Sequence, residues 1–166
     1  MPIQQDIVAE IPRLRRFARA LTGDAYRADD LVQDTLERAL NKWMLWRPGN
    51  LRAWLLTIMH HVFISQTRSH KAVEYYPEEM LPELPARAAQ DEGLALRDLD
   101  RALARLSLDQ RQVLLLVTLE ELSYEETARV LNIPVGTVMS RLYRARERLR
   151  ALLASQDGNA HLRVVK

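Results

Sequence analysis

The 166-residue chain contains no cysteine, which removes disulfides, thiolate metal sites and thiol nucleophiles together and suits a reducing compartment. It has only five glycines and two phenylalanines. Strand punctuation and a Gly-rich phosphate loop are therefore both missing. No apolar run reaches membrane-spanning length, and Met1-Pro2-Ile3-Gln4-Gln5-Asp6 lacks the basic region and apolar core of a secretory signal. A soluble, cytoplasmic protein without membrane insertion is expected. The two adjacent histidines, His60 and His61, diverge by about 100° on a helix, so no His-Glu-x-x-His pattern or other metal site is expected. No cofactor is implied, and enzymatic chemistry has no visible foothold.

What is present favours helices. Leu, Ala, Arg and Glu lose little rotamer freedom in a helix, and 48% hydrophobic residues are enough to build cores. Ile7, Ile11, Leu14, Ala18 and Leu21 recur at steps of four and three, which predicts a first helix ending near Thr22-Gly23. Asp24 is placed to cap a second helix with an apolar stripe of Ala28, Leu31/Val32, Thr35, Ala39/Leu40 and Trp43, ending before Arg47-Pro48-Gly49-Asn50. A third helix follows, with Leu51, Leu55, Ile58 and Val62 inside and Trp54 beside them. The first module is bounded at residues 5–71.

Residues 72–93 change character, with Pro77, Pro82 and Pro85 among Glu78, Glu79, Glu83, Asp91 and Glu92. This is the pattern of a flexible linker. Its roughly twenty-two residues span about 75 Å fully extended and about 25 Å as a relaxed coil. Beyond it, a second module at residues 94–154 opens with the stripe Leu96, Leu99, Leu103 and Leu106. Ser107-Leu108-Asp109-Gln110 and Ser123-Tyr124-Glu125-Glu126 both read as capping boxes. A short helix, a turn at Asn132-Ile133-Pro134-Val135-Gly136 and a last helix from about Thr137 to Leu153 complete the module, leaving residues 155–166 as a tail. The fold class expected is all-α, two small helical domains joined by a linker.

A net charge of +2 does not by itself argue for nucleic acid, but its distribution does. In the last helix Val138, Leu142, Ala145, Leu149 and Leu152 form an apolar stripe, while Thr137, Arg141, Arg144 and Arg148 share a second face with Ser140 adjacent. A short helix, a tight turn and an arginine-bearing helix form the geometry that enters a major groove, where Arg forks onto guanine. Taken alone, this face also suits an ordinary solvated helix; the order of cap, turn and arginines favours DNA. In the second helix Asp30, Asp34 and Glu37 share an acidic face with Gln33 nearby, better suited to a basic protein surface than to DNA. The third helix interleaves aromatic, polar and basic residues, with Thr57, His61, Ser65 and Arg68 along one side and Trp54 near it. That mixture fits unstacked bases, although it fits a core Trp with solvated histidines too.

Three stretches resemble the extracytoplasmic-function (ECF) sigma factors of the sigma-70 superfamily. They are Ala28-Asp29-Asp30-Leu31-Val32-Gln33-Asp34-Thr35-Leu36-Glu37-Arg38-Ala39, Leu51-Arg52-Ala53-Trp54-Leu55-Leu56-Thr57-Ile58, and Leu122-Ser123-Tyr124-Glu125-Glu126-Thr127-Ala128 with Val135-Gly136-Thr137-Val138-Met139-Ser140-Arg141-Leu142-Tyr143-Arg144-Ala145-Arg146. The resemblance implies sigma region 2 over the first module and region 4 over the second. It implies docking of Asp30, Gln33, Asp34 and Glu37 on core RNA polymerase, and capture of downstream-element bases by Trp54, Thr57, His61, Ser65 and Arg68. It further implies reading of the upstream promoter element by Thr137, Ser140, Arg141, Arg144 and Arg148, and control by an anti-sigma factor. Two positions depart from the family's habit: His61, where Asn is frequent, and Met139, where a basic residue is frequent. Base preferences therefore do not transfer. A response-regulator output domain shares a similar helix-turn-helix but brings a receiver or ligand-binding module that these first seventy residues do not resemble, and a helical adaptor would leave the arginine face idle.

Overall fold

The computed structural model describes residues 2–73 and 91–164, with side chains placed for 3–69 and 95–155. The prolines and most of the acidic residues of the expected linker lie outside the described residues. All regular elements among the described residues are helical.

Three helices make the first body: α1 (Pro2–Thr22), α2 (Ala25–Lys42) and α3 (Leu51–Val73), with a short 3-10 turn at Trp43–Leu45. α1 buries Ile7, Leu14, Phe17, Ala18 and Leu21. It ends where Gly23 takes φ +70°, a left-handed conformation that costs glycine nothing, and the Gly23 N–H returns to the Arg19 carbonyl at 2.9 Å. Asp24 then caps α2, its carboxylate accepting from the Tyr26 N–H at 2.8 Å. The apolar stripe of α2 is buried as far as Ala39, whereas Leu40 is exposed. α3 contributes Leu55, Leu56, Ile58, Met59 and Val62 to the core.

The second body is α4 (Asp91–Arg105), α5 (Leu108–Thr118), α6 (Tyr124–Leu131) and α7 (Val135–Val164). Ser107 caps α5, accepting from the Gln110 N–H. Ser123 and Glu126 form a complete capping box on α6, each side chain bonding the other's backbone. α6 closes on Asn132 in the left-handed region, a residue type that tolerates it, and the Pro134 carbonyl accepts from Thr137 and Val138 to open α7. The expected end of the last helix near Leu153 is too early, since α7 continues to Val164. Gly158 lies within it, because a glycine weakens a helix by about 1 kcal/mol without forbidding it.

The two bodies pack directly on each other. Phe17, Leu21 and Leu56 meet Leu116, Val130 and Leu131 across a narrow apolar seam, and buried residues of both bodies belong to one continuous core. Polar contacts reinforce the seam. The Asn50 amide donates to Glu126 at 2.6 Å, Gln112 and His60 meet at 3.3 Å, and Arg111 donates to the Leu21 carbonyl at 2.7 Å. The same Arg111 guanidinium bonds the carbonyls of Leu103, Ala104 and Leu106, so one side chain ties the ends of α1 and α4 together.

Candidate nucleic-acid and polymerase interfaces

Along α7 the buried residues are Val138, Leu142, Ala145 and Leu152, with Leu149 half-buried. At about 100° per residue, the direction opposite this stripe falls on Gly136, Ser140, Tyr143 and Glu147. All four are exposed. Arg144 is exposed just to one side, leading the flank that holds Thr137, Arg141 and Arg148; Met139, Arg146 and Arg150 occupy the other. The arginine row expected from spacing is therefore one flank of the outward face. Arg141 sits deepest on it, its side chain 32% exposed and its guanidinium 3.8 Å from the Asp109 carboxylate. Met139 and Tyr143, exposed at 53% and 68%, stand among the basic residues. Spacing passed over Tyr143 because aromatic residues are ordinarily assigned to a core.

On α2, Asp30, Gln33 and Glu37 are exposed and Asp34 is half-buried. The Gln66 amide of α3 donates to Asp34 at 2.7 Å and reaches toward Asp30 at 3.4 Å. Both carboxylates are thereby oriented by a neutral donor. The position of Gln66 against α2 shows only in three dimensions.

The α3 residues expected to hold bases do not share one environment. His61, Ser65 and Arg68 are exposed, whereas Trp54 and Thr57 are half-buried. Trp54 and Thr57 line a cleft whose opposite wall is Glu126, Arg129 and Val130 of α6. The Thr57 hydroxyl is occupied by the Ala53 carbonyl at 2.8 Å. Arg68 borders a second cleft, shared with Asp109 and Arg141 of the other body. His60, beside His61 with ring centroids 5.8 Å apart, is held below the ordinary histidine value by burial and then by its neighbour's charge.

The family description "Sigma2 domain of PhyR" matches residues 7–60, and "Sigma-70, region 4" matches residues 96–149. The chain is 42% identical to the ECF RNA polymerase sigma factor EcfG of Rhodopseudomonas palustris (strain TIE-1), over 91% of this chain and 84% of that protein. The chain belongs to the ECF RNA polymerase sigma factors. As an ECF sigma factor it directs core RNA polymerase to specific promoters and initiates transcription there. Its fold matches the sigma factor RpoE in a co-crystal structure with the anti-sigma factor NepR from Bartonella quintana, at a TM-score of 0.81 and 37% identity, covering 92% of this chain and 97% of that one. The fold is also similar, at a TM-score of 0.56 and 21% identity, to the anti-anti-sigma factor PhyR complexed with NepR from the same organism, covering 87% of this chain and 48% of that one. No described helix of the sigma factor is long and apolar enough to cross a membrane.

Proposed function

We propose that the sigma factor divides its work between region 2 at residues 5–71 and region 4 at residues 94–154, with 72–93 joining them and 155–166 as a tail. The outward face of α7 reads the upstream element as duplex: Ser140, Tyr143 and Arg144 meet the major groove first, flanked by Thr137, Arg141, Arg148 and Met139. The observation that carries this reading is that α7 buries a clean apolar stripe while turning Arg144, Arg146, Arg148 and Arg150 to solvent behind a capped short helix. On α3, Trp54, Thr57, His61, Ser65 and Arg68 hold unpaired bases of the downstream element by stacking, base-edge contact and charge. On α2, Asp30, Gln33, Asp34 and Glu37 dock on a basic surface of core polymerase. The protein has no catalytic activity of its own and works in the cytoplasm beside polymerase. An anti-sigma factor restrains it; the match to RpoE solved with NepR supports a partner of that kind.

Run-off transcription tests the reading. Purified chain added to core polymerase should give starts at a small promoter set, mapped genome-wide after overexpression. Anti-sigma capture without any promoter-specific start would overturn the assignment of these residues to promoter contact.

A further inference from the structure

Arginine suits phosphate and guanine, yet the line of α7 that faces directly away from the core carries none. Along it run Gly136, Ser140 and Tyr143, with Met139 beside them, all exposed. Met139 and Tyr143 are the only large apolar side chains that α7 exposes among the described residues, and they stand one turn apart on the same flank. Gly136, one turn before Met139, is not demanded by packing either. A Cβ placed there meets nothing within 4 Å, and its φ is not in the left-handed region. Glycine is less favourable than alanine in a helix, so the fold alone favours a side chain at this point. Polar groups on the same face are partly committed elsewhere. The Ser140 hydroxyl donates to the Thr137 carbonyl at 3.1 Å, and Arg141 is drawn to Asp109 at 3.8 Å. Farther along the outward line Glu147, held by Arg150 at 3.2 Å, presents an acid that repels phosphate and ends the contact surface.

What remains at the front of the helix is an open notch over Gly136, bordered by a thioether and a ring. Exposed Arg144, Arg146 and Arg150 around it favour a polyanion over an apolar protein surface. In the major groove one base feature is apolar, the C5 methyl of thymine, and apolar side chains are what read it. An unbranched thioether suits such a contact because it adapts to an irregular gap.

We propose that Gly136, Met139 and Tyr143 form an apolar seat for the C5 methyl of a thymine in the upstream element, with Met139 as the residue that sets the preference. The inference rests on the placing of α7 in the major groove proposed above, and adds which base chemistry that face selects. Thymine and uracil share every hydrogen-bonding group, so a methyl moved from water onto this seat favours thymine about fourfold at that one base pair.

Exchange of thymine for uracil removes the methyl and nothing else. Core polymerase loaded with the full chain is titrated by gel shift against promoter probes in which each upstream thymine in turn is replaced by uracil. Wild type should lose about fourfold in affinity at one thymine and little at the rest. Met139→Gln should bind thymine and uracil probes equally at that base pair, and Met139→Leu should restore the preference. Gly136→Ala should raise the melting temperature of the chain and yet shrink the thymine preference, because its methyl fills the notch. No uracil effect at any position, an upstream element lacking thymine, or an effect that Met139→Gln leaves intact overturns the proposal. In each of those cases promoter-specific starts persist. Their complete absence with wild-type chain instead sinks the placing of α7 on DNA, and the seat with it.

Discussion

At the scale of single residues, the structure separates side chains that share a helical face on paper. Arg144 points into solvent and Arg141 leans on Asp109, although both belong to the same row. Arg144→Ala should therefore weaken upstream-element binding by roughly 1–3 kcal/mol and relax selectivity at one base pair. Holoenzyme gel shifts on duplexes with single base-pair changes read both effects, and an unaltered preference at every position would remove Arg144 from base contact. On α2 the docking face proposed above includes the two carboxylates that Gln66 contacts. Asp34→Lys should sharply reduce co-purification with core polymerase while leaving the helical circular dichroism spectrum and upstream-duplex binding unchanged; recovery of polymerase at the wild-type level would exclude this face. The row of arginines and the acidic face were legible in the sequence because helical periodicity fixes which residues share a side. Which member of a row is outermost was not, since that depends on a neighbour such as Asp109 from a different helix.

At the scale of elements, the starts of helices were easier to read than their packing partners. Asp24, Ser107 and Ser123 all cap where the local pattern placed them, because a cap is satisfied within three residues of itself. The role of Arg111 had no such local signature. Within α5 it looks like any surface arginine, yet it donates to four carbonyls at the ends of α1 and α4. These are the orphan acceptors every helix leaves at its C-terminus, and a planar five-donor group suits several at once. Burial lowers its pKa from the ordinary arginine value, which still leaves it charged. Arg111→Ala should cost about 3 kcal/mol in urea unfolding, and Arg111→Lys should recover only part, because an ammonium cannot reach the same acceptors as a fork. Full recovery by lysine would mean that charge alone matters at this junction.

At the scale of the whole molecule, two helical modules could be read from composition, but their embrace could not. Contacts such as Asn50 with Glu126 and Leu21 with Arg111 join residues 76 and 90 positions apart, beyond any periodicity. The seam has its own pH signature, set by Glu120. Burial raises its carboxyl above the ordinary glutamate value, opposed by Arg52 and then by Arg16 and Arg13, and assisted by Glu10. For an acid raised in the folded state, the stabilising contribution is present at low pH and is lost as pH climbs through the raised value. At neutral pH wild-type protein therefore holds a charge that the seam disfavours, and Glu120→Gln does not. The melting temperatures of the two proteins should nearly coincide near about pH 4, where the glutamate is protonated, and separate as pH rises toward about 7, with Glu120→Gln the more stable. Lowered His60 affects both proteins alike and cancels in the difference. A gap that stays constant across this range, or favours the wild type at neutral pH, would show that the arginines compensate the buried carboxylate fully and that the seam carries no built-in weakness.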